Sequence, residues 1–283
     1  MDTVLYKLLT QDKQARIFFV DNAKIMNQAG APFDGVTFNV FSAALTFTCI
    51  LHGIITNAKR ISVKLETSEP SAFMVFGADA NGDVQGYVSD ELAARQYSSL
   101  KEMAGSNGYI KIVYDNGADA VFTGIVEIKE DDVAQNLSRY FLQSEQTESV
   151  FRYFCERETS GFCLSRGVLI QALPFADSTL IPQWANRLEK EKAVIADCHI
   201  MNGILPEVVF ADAAVAEQWP VRLRCSCDRQ TVLFMLMGLG VSELEWTIND
   251  NQDIEIRCGK CGQRYRFGAE EIQSLINMIG QES

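Results

Sequence analysis

The sequence predicts an α+β protein in three parts: a mixed sheet-and-helix core, a mostly helical linker and a small cysteine-bearing C-terminal domain. Three observations carry this. Over the first two-thirds of the chain, strand-like runs with turn residues between them are kept apart from helical stretches, the pattern of α+β folds. After Pro174 a charged amphipathic stretch takes over. Near the end, two close cysteine pairs bracket a spacer of thirty residues. The boundaries that follow are 1–175 for the core, 176–222 for the linker and 223–283 for the C-terminal domain.

Ala15–Val20 reads as a short strand, and Asp21–Gln28 as a helix with Asp21 as its N-cap. Gly30–Gly35 is a Gly/Pro loop. Val36–Thr56 is an apolar helix, in spite of β-branched residues that lower its intrinsic propensity. Arg60–Thr67 alternates Ile61, Val63 and Leu65 with polar residues, which predicts a half-buried strand. Ala72–Gly77 and Val84–Val88 are strands on either side of the turn residues Asp79–Gly82. Tyr109–Tyr114 and Ala120–Ile128 pair around Asn116–Gly117. Asp131–Gln146 is a helix with Val133, Leu137, Tyr140 and Phe141 on one side. Val150–Glu156 and Val168–Ala172 are strands.

The linker opens with a helical stretch, Ser178–Ile195, carrying Leu180, Ile181, Trp184, Leu188 and Val194. Pro182 fits only in a first turn. The segment that follows, to Arg222, contains Pro206 and Pro220 and many apolar residues, whereas a flexible linker is rich in Gly and Ser. It is therefore expected to pack against the rest of the protein in the resting state.

The length of 283 residues suits one large domain or two smaller ones, and 47 % hydrophobic residues suffice for a sizeable core. A formal charge of −12 opposes binding to phosphate backbones. The N-terminus has no basic start, long apolar run or small-residue cleavage site, so no signal peptide is expected. Val40–Ile55, interrupted by Ser42, Thr46, Thr48 and His52, reads as too short and too polar to span a bilayer. A cytoplasmic protein with neither nucleic acid nor membrane as partner is expected. In that reducing compartment, clustered cysteines point to metal or redox chemistry. With no phosphate loop, paired carboxylates or Ser/His/Asp constellation, no enzymatic role is expected. The isolated His52 and His199 read as structural or surface residues.

The chemical signal is Cys225-Ser-Cys227 followed by Cys258-Gly-Lys-Cys261. Four thiolates suit one tetrahedral zinc ion. The second pair lies where a strand, Asp253–Arg257, meets a turn, and Gln263–Phe267 reads as the next strand. Asp228 is placed to cap a helix running to Met237, which brings the first pair toward the second. Ile272, Leu275 and Ile276 supply a small core that a domain of this size would staple with metal. Such a site is either a closed structural centre or a switch. The close Cys225–Cys227 pair can, with strain, form a local disulfide, and oxidising both pairs would remove every thiolate donor, so the metal must leave. Cys49, Cys155, Cys163 and Cys198 read as small buried hydrophobes.

These residues resemble the redox-regulated heat-shock holdases of thirty-three kilodaltons, the HslO family, whose signature is C-X-C, a spacer of about this length and C-X-X-C. Tyr265-Arg-Phe267 and Glu271-Ile272 are also similar to the family. Upstream, Gly82-Asp-Val-Gln-Gly-Tyr-Val88 resembles its G-x-V-R-G-Y-V segment with Gln85 for Arg, Tyr140–Gln146 its Y-F-x-x-S-E-Q segment, and Arg166–Pro174 its G-x-x-x-Q-x-L-P segment. Asp228-Arg-Gln230 departs from the commoner S-R-E. The resemblance implies ATP-independent holding of unfolding client proteins, with one zinc ion per chain in the reduced form on Cys225, Cys227, Cys258 and Cys261. It implies that Cys258–Cys261 and then Cys225–Cys227 form disulfides on oxidation. Zinc is then released, the linker unfolds, the oxidised form becomes a homodimer, and cellular thiol reductants reverse the change. Trp184, Leu188, Val194, Val208, Val209, Phe210 and Trp219 would then meet clients.

Three other readings stand beside this one. A holdase that is always on, with structural zinc, keeps the fold and loses the switch. A zinc-ribbon nucleic-acid binder is opposed by the six basic and nine acidic residues from Leu223 onward. A thiol oxidoreductase would place its C-x-x-C at a helix start near a βαβ unit, whereas a strand follows Cys261 here.

Overall fold

Thr3–Thr10 (β1) and Ala15–Asp21 (β2) form an antiparallel hairpin, pairing Leu5 with Val20 and Leu9 with Arg16. The computed structural model describes residues 3–31, 33–55, 58–115, 121–157, 163–196, 206–224, 227–249, 253–258 and 264–280. The sequence reading assigns no element to β1, whose Tyr-Lys-Leu-Leu centre breaks the alternation expected of a strand. The helix Ala23–Ala29 (α1) starts one residue later than expected. Asn22 takes the N-cap position, although the Asp21 carboxylate still accepts the Ala23 N–H at 3.2 Å. Gly30, at φ 57°, ends it in the left-handed conformation that glycine adopts without strain.

Gly35–Ile54 (α2) is the central helix. It touches β1 and β2 together with Arg60–Glu66 (β3), Phe73–Asp79 (β4), Asp83–Val88 (β5) and two later strands. The sheet wraps it, so nearly every residue from Thr37 to Gly53 is buried. By length and hydropathy alone α2 could cross a membrane, a correction to the reading of this segment as too short and too polar. Yet 89 % of its most apolar window is buried inside the protein. Its polar residues are satisfied locally: Thr46 and Thr48 donate to the carbonyls of Ser42 and Ala44 at 2.7 and 2.8 Å.

Two short helices, Asp90–Ala93 (α3) and Leu100–Ala104 (α4), are capped by Ser89 and Ser99. The strands Tyr109–Asp115 (β6) and Val121–Glu127 (β7) follow, then the helix Val133–Ser144 (α5), whose N-cap Asp132 accepts the Ala134 N–H at 2.7 Å. Val133, Leu137, Tyr140 and Phe141 face the core as expected. The last core strands are Ser149–Arg157 (β8) and Cys163–Ala172 (β9).

The expected linker contains helices at Leu180–Lys190 (α6), Lys192–Ile195 (α7) and Pro206–Val209 (α8), with Pro182 in the first turn of α6. It then departs from a mostly helical reading. Ala213–Leu223 (β10) is an eleven-residue strand inside the main sheet, antiparallel to β1 over Thr3↔Val221 to Thr10↔Ala213 and parallel to the start of β5. The whole sheet runs β7-β6-β3-β4-β5-β10-β1-β2-β9-β8. Gly82 lies at this junction with φ 78°, and a Cβ there would stand 2.1 Å from the Pro220 carbonyl oxygen, which excludes larger residues. The C-terminal part comprises helices Arg229–Met237 (α9) and Val241–Asn249 (α10), the hairpin Ile254–Arg257 (β11) with Arg264–Phe267 (β12), and the helix Ala269–Gly280 (α11). The architecture is mixed α/β, one large sheet with helices on both faces.

Candidate metal centre and linker interface

The C-terminal part has its own small core. Val232, Leu236, Leu244, Phe267, Ile272, Leu275 and Ile276 are buried together. Cys227 stands two residues before α9, and Cys258 directly follows β11. Both are half-buried, and neither forms a disulfide with another described residue. The β11–β12 register pairs Arg257 with Arg264, so positions 258–263, which include Cys258 and Cys261, join the two strands. Arg229, at the start of α9, ties that helix to β12 and α11. Its guanidinium donates to the Arg266 carbonyl at 2.8 Å and to both Glu271 oxygens at 2.8 and 2.7 Å, and lies 4.7 Å from the Phe267 ring centroid. Arg229 holds the Glu271 carboxyl below its usual range by hydrogen bonding.

Cys225 and Cys261 lie outside the described residues, so the structure places two of the four predicted ligands. Among the described residues, no group of three or more His, Cys, Asp or Glu could hold a metal ion. What it offers the metal is chemistry and placement: Cys227 lies two residues from a helix start that is tied to β12, and Cys258 lies at the neighbouring strand junction. The donor chemistry, four thiols in two close pairs, is that of a four-thiolate zinc site. Asp228 directly precedes α9, and its backbone carbonyl accepts the Val232 N–H at 3.2 Å.

Among the other cysteines, Cys49 is fully buried in α2, and burial pushes its thiol up to about 12. Cys155 is half-buried against the main core. Cys163 opens β9, and Cys198 lies outside the described residues. His52 is buried, edge-on to Trp219 at 6.5 Å, and burial lowers its pKa. His199 lies outside the described residues.

The linker covers a second apolar surface. Leu8, Ile17, Phe19, Val168 and Ile170, on β1, β2 and β9, face away from α2 and are buried by Leu180, Trp184, Leu188, Ile195, Val209 and Phe210. Phe210 meets Phe19 and Trp184 at ring-centroid distances of 6.2 and 6.1 Å. Each of these large side chains contributes roughly 1.5–3 kcal/mol by leaving water. Of the other linker residues singled out, Val194 is exposed, Trp219 packs beside α2, and the Val208 side chain lies outside the described residues. Sequence reasoning missed the polar tie beneath this surface: Arg166 on β9, 1 % exposed, pairs with Asp21 and donates to the Ile195 carbonyl. The only signal for it was an arginine inside a strand that, Gln171 apart, is otherwise made of apolar and small residues.

A model of the Hsp33 protein family matches residues 3–268. The chain belongs to the Hsp33 family. Among its Hsp33 relatives is the 33 kDa chaperonin of Bacillus cytotoxicus, 26 % identical over 295 residues, an alignment covering 99 % of this chain and 100 % of the relative. The 33 kDa chaperonin of Bacillus licheniformis is 27 % identical over 290 residues, covering 97 % and 99 %. The fold is similar to that of the 33 kDa chaperonin (heat shock protein 33 homolog) of Thermotoga maritima, with a TM-score of 0.65 and 21 % identity over 99 % of both chains. The resemblance drawn from the cysteine spacing and the upstream segments is thus the family assignment.

Proposed function

We propose that this chain is a redox-controlled, ATP-independent holdase that binds unfolding client proteins in the cytoplasm. The observation that carries the reading is the linker seated on the sheet. Trp184, Leu188 and Phe210 close an apolar surface built from β1, β2 and β9, and a protein that hides such a surface under a separable segment can expose it on demand. Cys225, Cys227, Cys258 and Cys261 are the groups that set the demand.

In the reduced form the four sulfurs would hold one zinc ion, which supplies a staple for the small core of α9–α11 and keeps the sulfurs as thiolates. Thiolates are what oxidants attack. Each cysteine pair gives two electrons to one peroxide: a sulfur–sulfur bond forms, the peroxide O–O bond breaks, and two protons complete two waters. Cys258 with Cys261 reacts first and Cys225 with Cys227 second. No thiolate donor then remains, and metal binding energy of order 10 kcal/mol is lost from a small fold. In this scheme loosening of the C-terminal part, which follows directly on β10, frees the linker, whose apolar face and the strands beneath it become available to clients. The oxidised form pairs as a homodimer, and cellular thiol reductants reset the cysteines. No substrate turnover enters this scheme, and neither nucleic acid nor membrane takes part.

Light scattering from an aggregating client tests the proposal. The reduced, zinc-loaded protein and the same protein after peroxide treatment under mild heat are compared, with zinc release followed in parallel. Suppression by the oxidised form alone, accompanied by zinc release, supports the switch. Equal suppression by both forms makes the zinc structural and the holdase constitutive. Suppression by neither rejects the holdase reading.

A further inference from the structure

The polar face of β3, which its alternating pattern marks for solvent, is covered. Ser62, Lys64 and Glu66 are 1 %, 1 % and 5 % exposed. The cover is the C-terminal part, resting on the side of β3–β5 opposite α2. Met235 on α9 puts its sulfur 3.5 Å from Gln85 Nε2, and the Glu243 carboxylate on α10 comes within 3.9 Å of Lys64 Nζ. Lys64 Nζ also lies 3.1 Å from Glu66 Oε1 and 5.0 Å from the Phe73 ring centroid. Tyr109 and Lys111 on β6 face the same cluster. Two carboxyls, a buried ammonium, a second lysine and a phenol thus meet where the C-terminal part touches the sheet.

Like-charged carboxyls brought together in a buried site do not both ionise easily. We infer that this contact is proton-linked: Glu243 takes up a proton as it docks beside Glu66 and Lys64, and the C-terminal part docks on the sheet more tightly as the pH falls. Burial, and after it the Glu66 carboxylate, push Glu243 up to about 6, against the opposing pull of Lys64 and Lys111. Burial likewise lowers Lys111 and raises Tyr109. An undocked Glu243 titrates near the ordinary 4.5, so docking takes up a proton. Below 4.5 the acid is protonated in both states and docking has its full strength. As the pH rises through about 6, the docked Glu243 must carry its charge in a buried site beside Glu66, and that strength is lost. Alkaline conditions would thereby loosen the same part that oxidation is proposed to loosen. Only this consequence rests on the holdase reading; the docking equilibrium itself involves neither zinc nor oxidant.

The test is hydrogen exchange on the reduced, zinc-loaded full chain between about pH 5.5 and pH 8, expressed as protection factors so that the intrinsic pH dependence divides out. Peptides spanning 60–66 and 241–249 should lose roughly fourfold in protection across that range, while β1 and β2 keep theirs. Glu243→Gln and Glu66→Gln should each flatten the slope at the protected, low-pH level; if one variant does not fold, the other decides. Metal loss at low pH would move protection in the opposite direction. A flat wild-type profile, a slope surviving in the glutamine variants, or an equal fall in β1 and β2 overturns the inference. A holdase assay that fails while the slope persists rejects the function and leaves the proton linkage standing.

Discussion

Arg166 Nη1 donates to the Ile195 carbonyl at 2.7 Å, while its Nε reaches the Asp21 carboxylate at 2.8 Å. One buried guanidinium thus joins three parts of the protein: β9, the end of β2 and the C-terminal end of α7. Removing one partner from a buried ion pair costs about 3–5 kcal/mol, because the other charge is left uncompensated. Arg166→Met should lower the thermal midpoint, and the linker should loosen before the sheet does. Hydrogen exchange on the reduced variant checks this: peptides within 180–195 should exchange faster, with β3–β6 unchanged. A uniform loss of protection would mean that Arg166 supports the core as a whole and has no particular hold on the linker.

Phe210 is fully buried between Phe19 and Trp184. Truncating such a ring to alanine costs about 3–5 kcal/mol. Here the lost contact lies between linker and sheet, so Phe210→Ala should shift the resting protein toward the open form. The expected outcome is partial suppression of client aggregation by the reduced variant, with zinc still bound. A reduced Phe210→Ala protein that melts earlier yet suppresses nothing would separate linker packing from client holding.

The parts of the fold legible in the sequence are those whose signal is local. The amphipathic face of α5, the alternation of β3 and the turn at Asp79–Gly82 each follow from short-range pattern. β10 does not. Ala213–Leu223 contains three alanines and a proline, and is mostly exposed along its length. It is a strand because β1, some two hundred residues earlier, offers a free edge, with Lys7 opposite Glu217 and Tyr6 opposite Gln218. β3 was legible as a strand but not in its environment, since nothing near Lys64 in sequence announces that α10 will cover it. The cysteine pairs were legible as a motif because metal ligation demands a fixed set of donors at close spacing. Arg229 and Arg166 lie in segments compared with the family, but nothing local in the sequence announces the backbone carbonyls through which they tie their surroundings together.

Cys49 offers a test of which thiols are chemically available. Its thiol is pushed up to about 12 by complete burial in α2, so at neutral pH the thiolate needed for attack is scarcely populated, and no reagent reaches it. Brief alkylation of the native, zinc-depleted reduced protein followed by mass spectrometry should modify Cys227 and Cys258 and spare Cys49, which labels only after denaturation. Raising the pH toward 9 should not change this, because that value remains well below the buried thiol's. Labelling of Cys49 at the rate of the half-buried thiols would show that α2 opens in the native state.

Arg229 ties the start of α9 to β12 and α11, and its loss should be felt first at the metal. Its contacts are exposed, so the effect on global stability should be small, within about 1 kcal/mol. The bidentate geometry to Glu271, the bond to the Arg266 carbonyl and the stacking on Phe267 fix where Cys227 sits relative to the β11–β12 junction. Lysine cannot reproduce that fork. Both Arg229→Ala and Arg229→Lys should therefore release zinc to a competing chelator severalfold faster than wild type, with nearly unchanged melting of the sheet. The dependence on pH has a definite sign. Glu271 is held below its ordinary value by Arg229, so its contribution is present at neutral pH and fades as the pH falls through that lowered value. Wild type and Glu271→Gln should then differ in zinc release at neutral pH and converge in acid. Equal release rates for all four proteins at neutral pH would show that the cysteine loops hold their geometry without the arginine.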